Sequence, residues 1–386
     1  MKVLILLIPF IVAFYLSGLI IPYIYLISYR KRLFDPINKR KLHDAIVPRL
    51  GGVAFAPIQC VVMTVLVVFF HKYNFLNDLH IDTGEVIPMF LMLVTGLVIL
   101  FLVGLADDLI GVSYKAKFFA QLLVAAFLPF AGLWLNDMYG VLFITWLPAY
   151  IGMPLTVLAV MTVINAVNLI DGLDGLCSGV VMVGCIVLGV LFAMQGAWLH
   201  AAFGFTTAGM LFPFFYFNVF GKSRKKRRIF MGDTGSLTLG FSVAFLAISY
   251  AMNNPGIKPF FEGAIVIAFS TLVIPLLDVV RVMVIRYKKG KPLFIADNNH
   301  IHHLLLRLGL SHRQTMVVIL LFAVFFSVFN IIGVNLISNN IVLALDLIIW
   351  LSLHIYIDKL LKKKEQEAAK EVTISLSDKK ALSGEV

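Results

Sequence analysis

The chain is poor in three things, and each shortage removes a class of protein. Cysteine is the first, with three residues in 386. Cys60 lies in an apolar run, and Cys177 and Cys185 would stand about 12 Å apart along a helix, too far for a disulfide. No disulfide framework is available, and the cysteines read as packing residues. Charge is the second: Asp, Glu, Lys and Arg make up only 14% of the residues, against 60% hydrophobic. A soluble chain of this length could not hide that much apolar surface in one or two cores. Self-similarity is the third. No internal repeat is evident, so an inverted-repeat transporter finds no direct support. The first apolar segment follows Lys2 alone and shows no small-residue cleavage site, so it reads as a retained helix.

What the sequence has instead is long apolar runs. They predict an all-α polytopic membrane protein with eleven spans: 3–28, 51–71, 87–106, 118–135, 142–165, 176–194, 199–219, 236–252, 262–285, 314–335 and 339–359. At 1.5 Å per residue each can cross roughly 30 Å of hydrocarbon. The count falls to ten if 336–360 does not span. Pro148, Gly152 and Pro154 would also let part of 136–151 form an external hairpin. Residues 1–360 then make one transmembrane domain, and 361–386 a polar, flexible tail.

The net charge of +11 would suggest nucleic acid in a soluble protein. Here 28 of the 32 Lys and Arg residues fall in loops 29–50, 107–117, 220–235 and 286–313 and in the stretch from Lys359 to the end. That bias is a topology signal; it excludes a nucleic-acid partner, puts those loops in the cytoplasm, and leaves the N-terminus outside. The run Lys222–Arg228 reads as an interfacial anchor for anionic membrane lipids.

Under this topology the unusual polar residues collect on the cytoplasmic side. The third span ends Gly104-Leu105-Ala106-Asp107-Asp108. Adjacent acids at the negative end of a helix dipole call for a nearby cation, and a hard ion such as Mg²⁺ suits carboxylate oxygens. Lys117 follows and can hold a phosphate, although it also suits the charge bias. The stretch Asn165-Ala166-Val167-Asn168-Leu169-Ile170-Asp171-Gly172-Leu173-Asp174-Gly175 places two carboxylates and two carboxamides at a helix mouth. Asn165, Asn168 and Asp171 can share a broad face, while Asp174 joins them only if the glycines break the helix. Asp233, in Phe230-Met231-Gly232-Asp233-Thr234-Gly235-Ser236, is a helix cap, a metal ligand or both. Asp278 and Arg281 are three apart and able to pair. Asp297-Asn298-Asn299-His300-Ile301-His302-His303 suggests a transition metal first, but phosphate contacts or proton transfer compete well, since no cysteine accompanies it. Arg49, in Pro48-Arg49-Leu50-Gly51-Gly52, is either an anchor or an anion contact.

Taken in order, Pro-Arg-Leu-Gly-Gly, Gly-Leu-Ala-Asp-Asp, Asn-Ala-Val-Asn-Leu-Ile-Asp-Gly-Leu-Asp-Gly, Phe-Met-Gly-Asp-Thr-Gly-Ser and His-Ile-His-His resemble the motifs of the polyprenyl-phosphate N-acetylhexosamine-1-phosphate transferases. The similarity spans roughly residues 1–335, and His-x-His-His looks like the branch that transfers N-acetylglucosamine phosphate. One departure is that Leu109-Ile110-Gly111 stands where some members carry a third aspartate. The resemblance implies transfer of a sugar-1-phosphate from a UDP-sugar to undecaprenyl phosphate with release of UMP. It also implies Mg²⁺, with Mn²⁺ able to substitute, and a place in the bacterial inner membrane. On that reading Asp107, Asp108 and Asp233 hold or border the metal, and one of Asp107 and Asp108, preferably Asp107, acts as base. Lys117, Arg281, His300, His302 and His303 bind phosphates. Asn168, Asp171 and Asp174 line the nucleotide end, with Asp174 facing uracil. A different UDP-amino sugar and an ion- or proton-coupled transporter are the rival readings; oligomeric state, including a homodimer, is left open.

Overall fold

The computed structural model describes residues 2–31, 33, 49–79, 81–221, 228–290 and 299–383. Pro48 and the rest of loop 34–48, the basic residues 222–227 and Asp297-Asn298 lie outside the described residues.

In chain order the helices are α1 (Lys2–Arg30), α2 (Phe55–Lys72), α3 (Phe75–Asp78), α4 (Thr83–Ile110) and α5 (Tyr114–Phe130). They continue with α6 (Ala149–Ile170), α7 (Leu176–Met194), α8 (Trp198–Phe220), α9 (Gly232–Ala251) and α10 (Ala264–Phe269). The last four are α11 (Val273–Lys288), α12 (Ile301–Leu308), α13 (His312–Gly333) and α14 (Asn339–Ser383). Among the described residues ten helical segments are long and apolar enough to cross a membrane, with α10 and α11 joined into one. The protein is an all-α, multi-pass membrane protein.

Three boundaries differ from the sequence expectation. The span expected at 118–135 is α5, which begins at Tyr114 because the Ser113 side chain caps its first turn, accepting from the Ala116 N–H at 3.3 Å. At 17 residues α5 covers only about 25 Å of rise. The span expected at 142–165 is α6, displaced toward the C-terminus. Ahead of it the chain makes a small hairpin, with Asp137 bridged to Trp146 and the Met138 N–H donating to the Thr145 carbonyl at 2.7 Å. The tail expected to be flexible instead continues α14 as helix to Ser383. Lys362–Glu367 consists of strong helix formers, and Lys363 faces Glu367 one turn on.

α9 is the axis of the bundle. Every residue from Thr234 to Ala251 is buried, and α4, α6, α7 and α10 surround it. Its first turn is gripped from two sides. A Cβ on Gly52 would stand 2.2 Å from the Gly235 Cα, and one on Gly104 would stand 2.5 Å from the Thr234 Cα. Only glycine lets the segment before α2 and the last turns of α4 approach this closely. The Gly51 and Gly52 N–H groups complete the grip by donating to the carbonyls of Phe230 and Met231 at 2.9 and 2.8 Å.

Candidate active site

Because the helices run up and down, the C-terminal ends of α4 and α6 meet the N-terminal ends of α5 and α9 at one end of the bundle. Asp107, in the last turn of α4, places Oδ2 3.0 Å from Lys117 Nζ, while its Oδ1 accepts the Val112 N–H at 2.7 Å. The same ammonium lies 2.8 Å from Asp233 Oδ2 at the start of α9. One lysine therefore bridges two carboxylates that are 126 residues apart in sequence. Asn168 donates to Ser236 Oγ at 2.8 Å and more weakly to Asp233 Oδ1 at 3.3 Å, orienting the acid from the α6 side. The side chains of Lys117, Asp107 and Asp233 stay 25%, 16% and 29% exposed, so the trio can be reached from outside.

Asp108 stands beside Asp107 and does something else. Its Oδ1 accepts the Asp233 N–H at 2.9 Å, and its Oδ2 accepts the Thr234 N–H at 2.9 Å and the Thr234 hydroxyl at 2.6 Å. The carboxylate of α4 thus caps the N-terminus of α9, where backbone donors and the helix dipole favour an anion. Gly232 makes room for it. This residue has φ +76°, and a Cβ there would meet Asp108 Oδ2 at 2.5 Å.

α6 ends at Ile170, and the chain breaks through Asp171–Gly175, with Gly175 at φ +76°. The Asp171 N–H donates to the Asn168 carbonyl at 3.3 Å, while its carboxyl group has no hydrogen-bond partner among the described residues. Burial pushes its carboxyl well above the usual carboxylate range; the charges of Asp233, Asp108 and Asp174 add to this, and Arg49 opposes them. Beyond the break Asp174 stays within reach of Asp171, whose carboxyl feels its charge. Asp174 forms an ion pair with Arg228, the last residue of the basic run, while Asn165 donates to Gln121 Oε1 at 2.7 Å. Thr234 and Ser236 were missed as polar contacts of the site. Gln121 follows Lys117 by four residues, a spacing that puts both on one face.

The histidine segment meets this assembly from α12. His302 is 1% exposed, its Nε2 lies 3.1 Å from where a Cβ on Gly172 would be, and its Nδ1 has no partner among the described residues. Burial, then the charges of His303 and His300, lower its pKa to about 3. The ring packs between those of His300 and His303 and the turn at Gly172, and as a neutral imidazole it could meet a phosphate only through a hydrogen bond and not through charge. The ring centroids of His302 and His303 are 4.2 Å apart. Asp278 and Arg281 do not pair with each other. Asp278 Oδ2 is 2.8 Å from His300 Nδ1, and Arg281 donates to the Asn299 carbonyl at 2.8 Å. Both residues thereby fasten the start of α12.

The donor chemistry fits a hard divalent ion. Asp107 and Asp233 converge on Lys117, and Asp171 lies within reach of the charges of Asp233, Asp108, Asp174 and Arg49, so acids outnumber Lys117 and Arg49 here. Among the described residues no trio of His, Cys, Asp or Glu forms a full protein cage. Mg²⁺ does not need one, since it keeps waters and shares one or two carboxylates with substrate phosphates. Asp107 and Asp233, already converging on one cation, have the right oxygens; Asp108 has both of its oxygens engaged by α9.

A helical bundle with acids, a lysine and histidines gathered at one end of its spans defines a membrane-embedded enzyme working at the bilayer surface. The family described as glycosyl transferase family 4 matches residues 89–251, the stretch that holds Asp107, Lys117, Asn168, Asp171 and Asp233. The chain is 30% identical to the undecaprenyl-phosphate alpha-N-acetylglucosaminyl 1-phosphate transferase of Yersinia pestis, over 83% of this chain and 82% of the relative. It is 31% identical to the probable undecaprenyl-phosphate N-acetylglucosaminyl 1-phosphate transferase of Bacillus subtilis, over 84% of each chain. The Salmonella typhi protein of the same name as the Yersinia relative is 30% identical over 75% of this chain and 74% of its own. The chain belongs to glycosyl transferase family 4, and it is a membrane transferase.

Proposed function

We propose that the protein transfers N-acetylglucosamine 1-phosphate from UDP-N-acetylglucosamine to undecaprenyl phosphate, releasing UMP, at the cytoplasmic face of a bacterial inner membrane. This would begin the lipid-linked assembly of an envelope polysaccharide. The observation that carries the reading is the bridge of Lys117 between Asp107 and Asp233, placed where membrane helices end. A lipid phosphate and a soluble nucleotide sugar can meet only there, and like charges must be screened for them to react.

In the reaction an oxygen of the lipid phosphate attacks the β-phosphorus of the UDP-sugar, and the bond from that phosphorus to the oxygen of UMP breaks. Asp107 and Asp233 would hold Mg²⁺, which when bound neutralises the diphosphate and the leaving UMP. Lys117 holds the two carboxylates in register and offers its ammonium to a phosphate oxygen once they take another cation. Asp107, tied through Oδ1 to Val112 and through Oδ2 to Lys117, would take a proton from the lipid phosphate. Asn168 orients Asp233, and Asp108 fixes the backbone on which Asp233 sits. Asp171, whose carboxyl group has no partner among the described residues and lies near other acids, is a third carboxylate ready for a cation or a nucleotide donor. Asp174, already paired with Arg228, would contact uracil only by exchanging that partner.

Purified protein with undecaprenyl phosphate, Mg²⁺ and a panel of UDP-sugars tests the reading. UMP should appear with UDP-N-acetylglucosamine and stop on addition of EDTA. Release with a different amino sugar alone would reassign the donor, and no release with any donor would sink the transferase reading.

A further inference from the structure

Asp278 is 1% exposed in the middle of α11, and the site described so far does not use it directly. Among the described residues its carboxylate has two partners, both at the start of α12. Oδ1 accepts the Ile301 N–H at 3.0 Å, and Oδ2 lies 2.8 Å from His300 Nδ1. Arg281, one turn further along α11, fixes the residue before His300 through the Asn299 carbonyl. The His300 ring lies parallel to that of His302, with centroids 5.8 Å apart and planes 6° from parallel. The backbone before the ring, the ring face and one ring nitrogen are therefore all held.

An ionised carboxylate can only accept, so its contact with Nδ1 requires the hydrogen to be on Nδ1. Nε2, on the far edge of the ring, then carries a lone pair when the ring is neutral and a hydrogen when it is charged. Nothing among the described residues bonds Nε2. This is the arrangement in which a buried acid orients an imidazole that works through its other nitrogen.

We propose that Asp278 is the positioning residue for His300, fixing its rotation and holding a hydrogen on Nδ1 so that Nε2 faces a substrate phosphate, accepting from a protonated phosphate oxygen when the ring is neutral and donating to the phosphate when it is charged. The inference rests on the transferase reading above. Its competitor is that Asp278 merely caps α12. The two roles separate chemically: an asparagine at 278 can still accept from the Ile301 N–H, but its amide hydrogens would face Nδ1 and drive the ring to the opposite tautomer.

The test uses full-length protein in detergent and compares Asp278→Asn, His300→Gln and the double variant for UMP release. Asp278→Asn should lose about 10–100-fold in kcat with a smaller change in KM. The double variant should be within about twofold of His300→Gln alone, because both changes remove one unit. Near-normal turnover of Asp278→Asn, or losses that multiply in the double variant, would overturn the proposal. ¹⁵N-histidine NMR reads the tautomer without any activity. Wild-type His300 should carry its hydrogen on Nδ1, and Asp278→Asn should move it to Nε2. A wild-type ring protonated on Nε2 alone overturns the proposal even if no variant folds. Absence of UMP release by the wild type would instead count against the transferase reading.

Discussion

Two helices in this protein begin on an acid borrowed from another helix, and the two starts differ in what that acid has left over. At α9, Asp108 of α4 gives both oxygens to the backbone and hydroxyl of residues 233 and 234. At α12, Asp278 of α11 gives one oxygen to the Ile301 N–H and keeps the other for an imidazole. The first cap is saturated and builds a platform, on which Asp233 is the working group. The second is divided, so it can couple a helix start to the state of a histidine. An acid in a membrane protein is thus assigned its task by how many of its oxygens the backbone consumes.

The largest effect should come from the working group on the saturated platform. Asp233→Asn should cut UMP release by about 10²–10³-fold with little change in the thermal unfolding midpoint, since the backbone cap remains. Measuring turnover and unfolding on the same sample separates the two. A comparable fall in both would mean that Asp233 is a structural residue.

Asp108→Ala should behave in the opposite way. It strands two N–H groups and a hydroxyl at the head of a buried helix, at a cost of about 1–3 kcal/mol. The unfolding midpoint should fall, and Asp108→Asn should recover part of the loss. Full stability with abolished turnover in Asp108→Asn would instead make Asp108 a ligand or base.

Next comes the metal. Removing divalent ions should abolish UMP release reversibly, with Mg²⁺ restoring it and Mn²⁺ doing so in part. Titrating Mg²⁺ back into Asp107→Asn should require a higher concentration than in the wild type.

A smaller effect belongs to His302. Its folded pKa of about 3 lies below the ordinary 6.5. Above pH 6.5 both folded and unfolded chains hold it neutral; below that the unfolded chain binds a proton that the folded chain refuses. Stability should therefore be fully present above about pH 6.5 and decline as pH falls toward 3. His302→Gln should flatten that slope in unfolding midpoints measured across pH. An unchanged slope would show that other groups set it.

The smallest effect should be at the far end of α12. Arg307 pairs with Glu365 at 2.9 Å, but both side chains are more than half exposed. Such pairs contribute little, and Glu365→Ala should leave UMP release within about twofold of wild type.

Asp107, Lys117 and Asp233 were legible as one site because charge bias sorts loops to one side, and helices that alternate in direction must bring those ends together. The separate fates of Asp107 and Asp108 were not legible, because adjacent identical residues carry the same sequence signal and only the approach of α9 distinguishes them. Asp278 and Arg281, three apart, satisfy the rule for a pair within a helix, yet both turn outward because α12 offers a backbone end and an imidazole. The starts of α5 and α13 lie ahead of the spans expected from 118 and 314, because Ser113 and Ser311 each accept from an N–H three residues on. The small hairpin ahead of α6 could be suspected from Pro148 and Gly152, but its partners were not readable. Asn136 accepts from the Asn253 N–H and donates to the Asn253 carbonyl, across 117 residues.

The burial of α9 also bears on how the chain can be assembled. A helix with no lipid-facing side, carrying Thr234, Ser236, Thr238, Ser242 and Ser249 among its interior residues, gains little from entering hydrocarbon alone. Three of its walls, α4, α6 and α7, precede it in the chain and are synthesised first. The slot therefore exists before the helix that fills it leaves the ribosome, and the order of the sequence doubles as an order of construction.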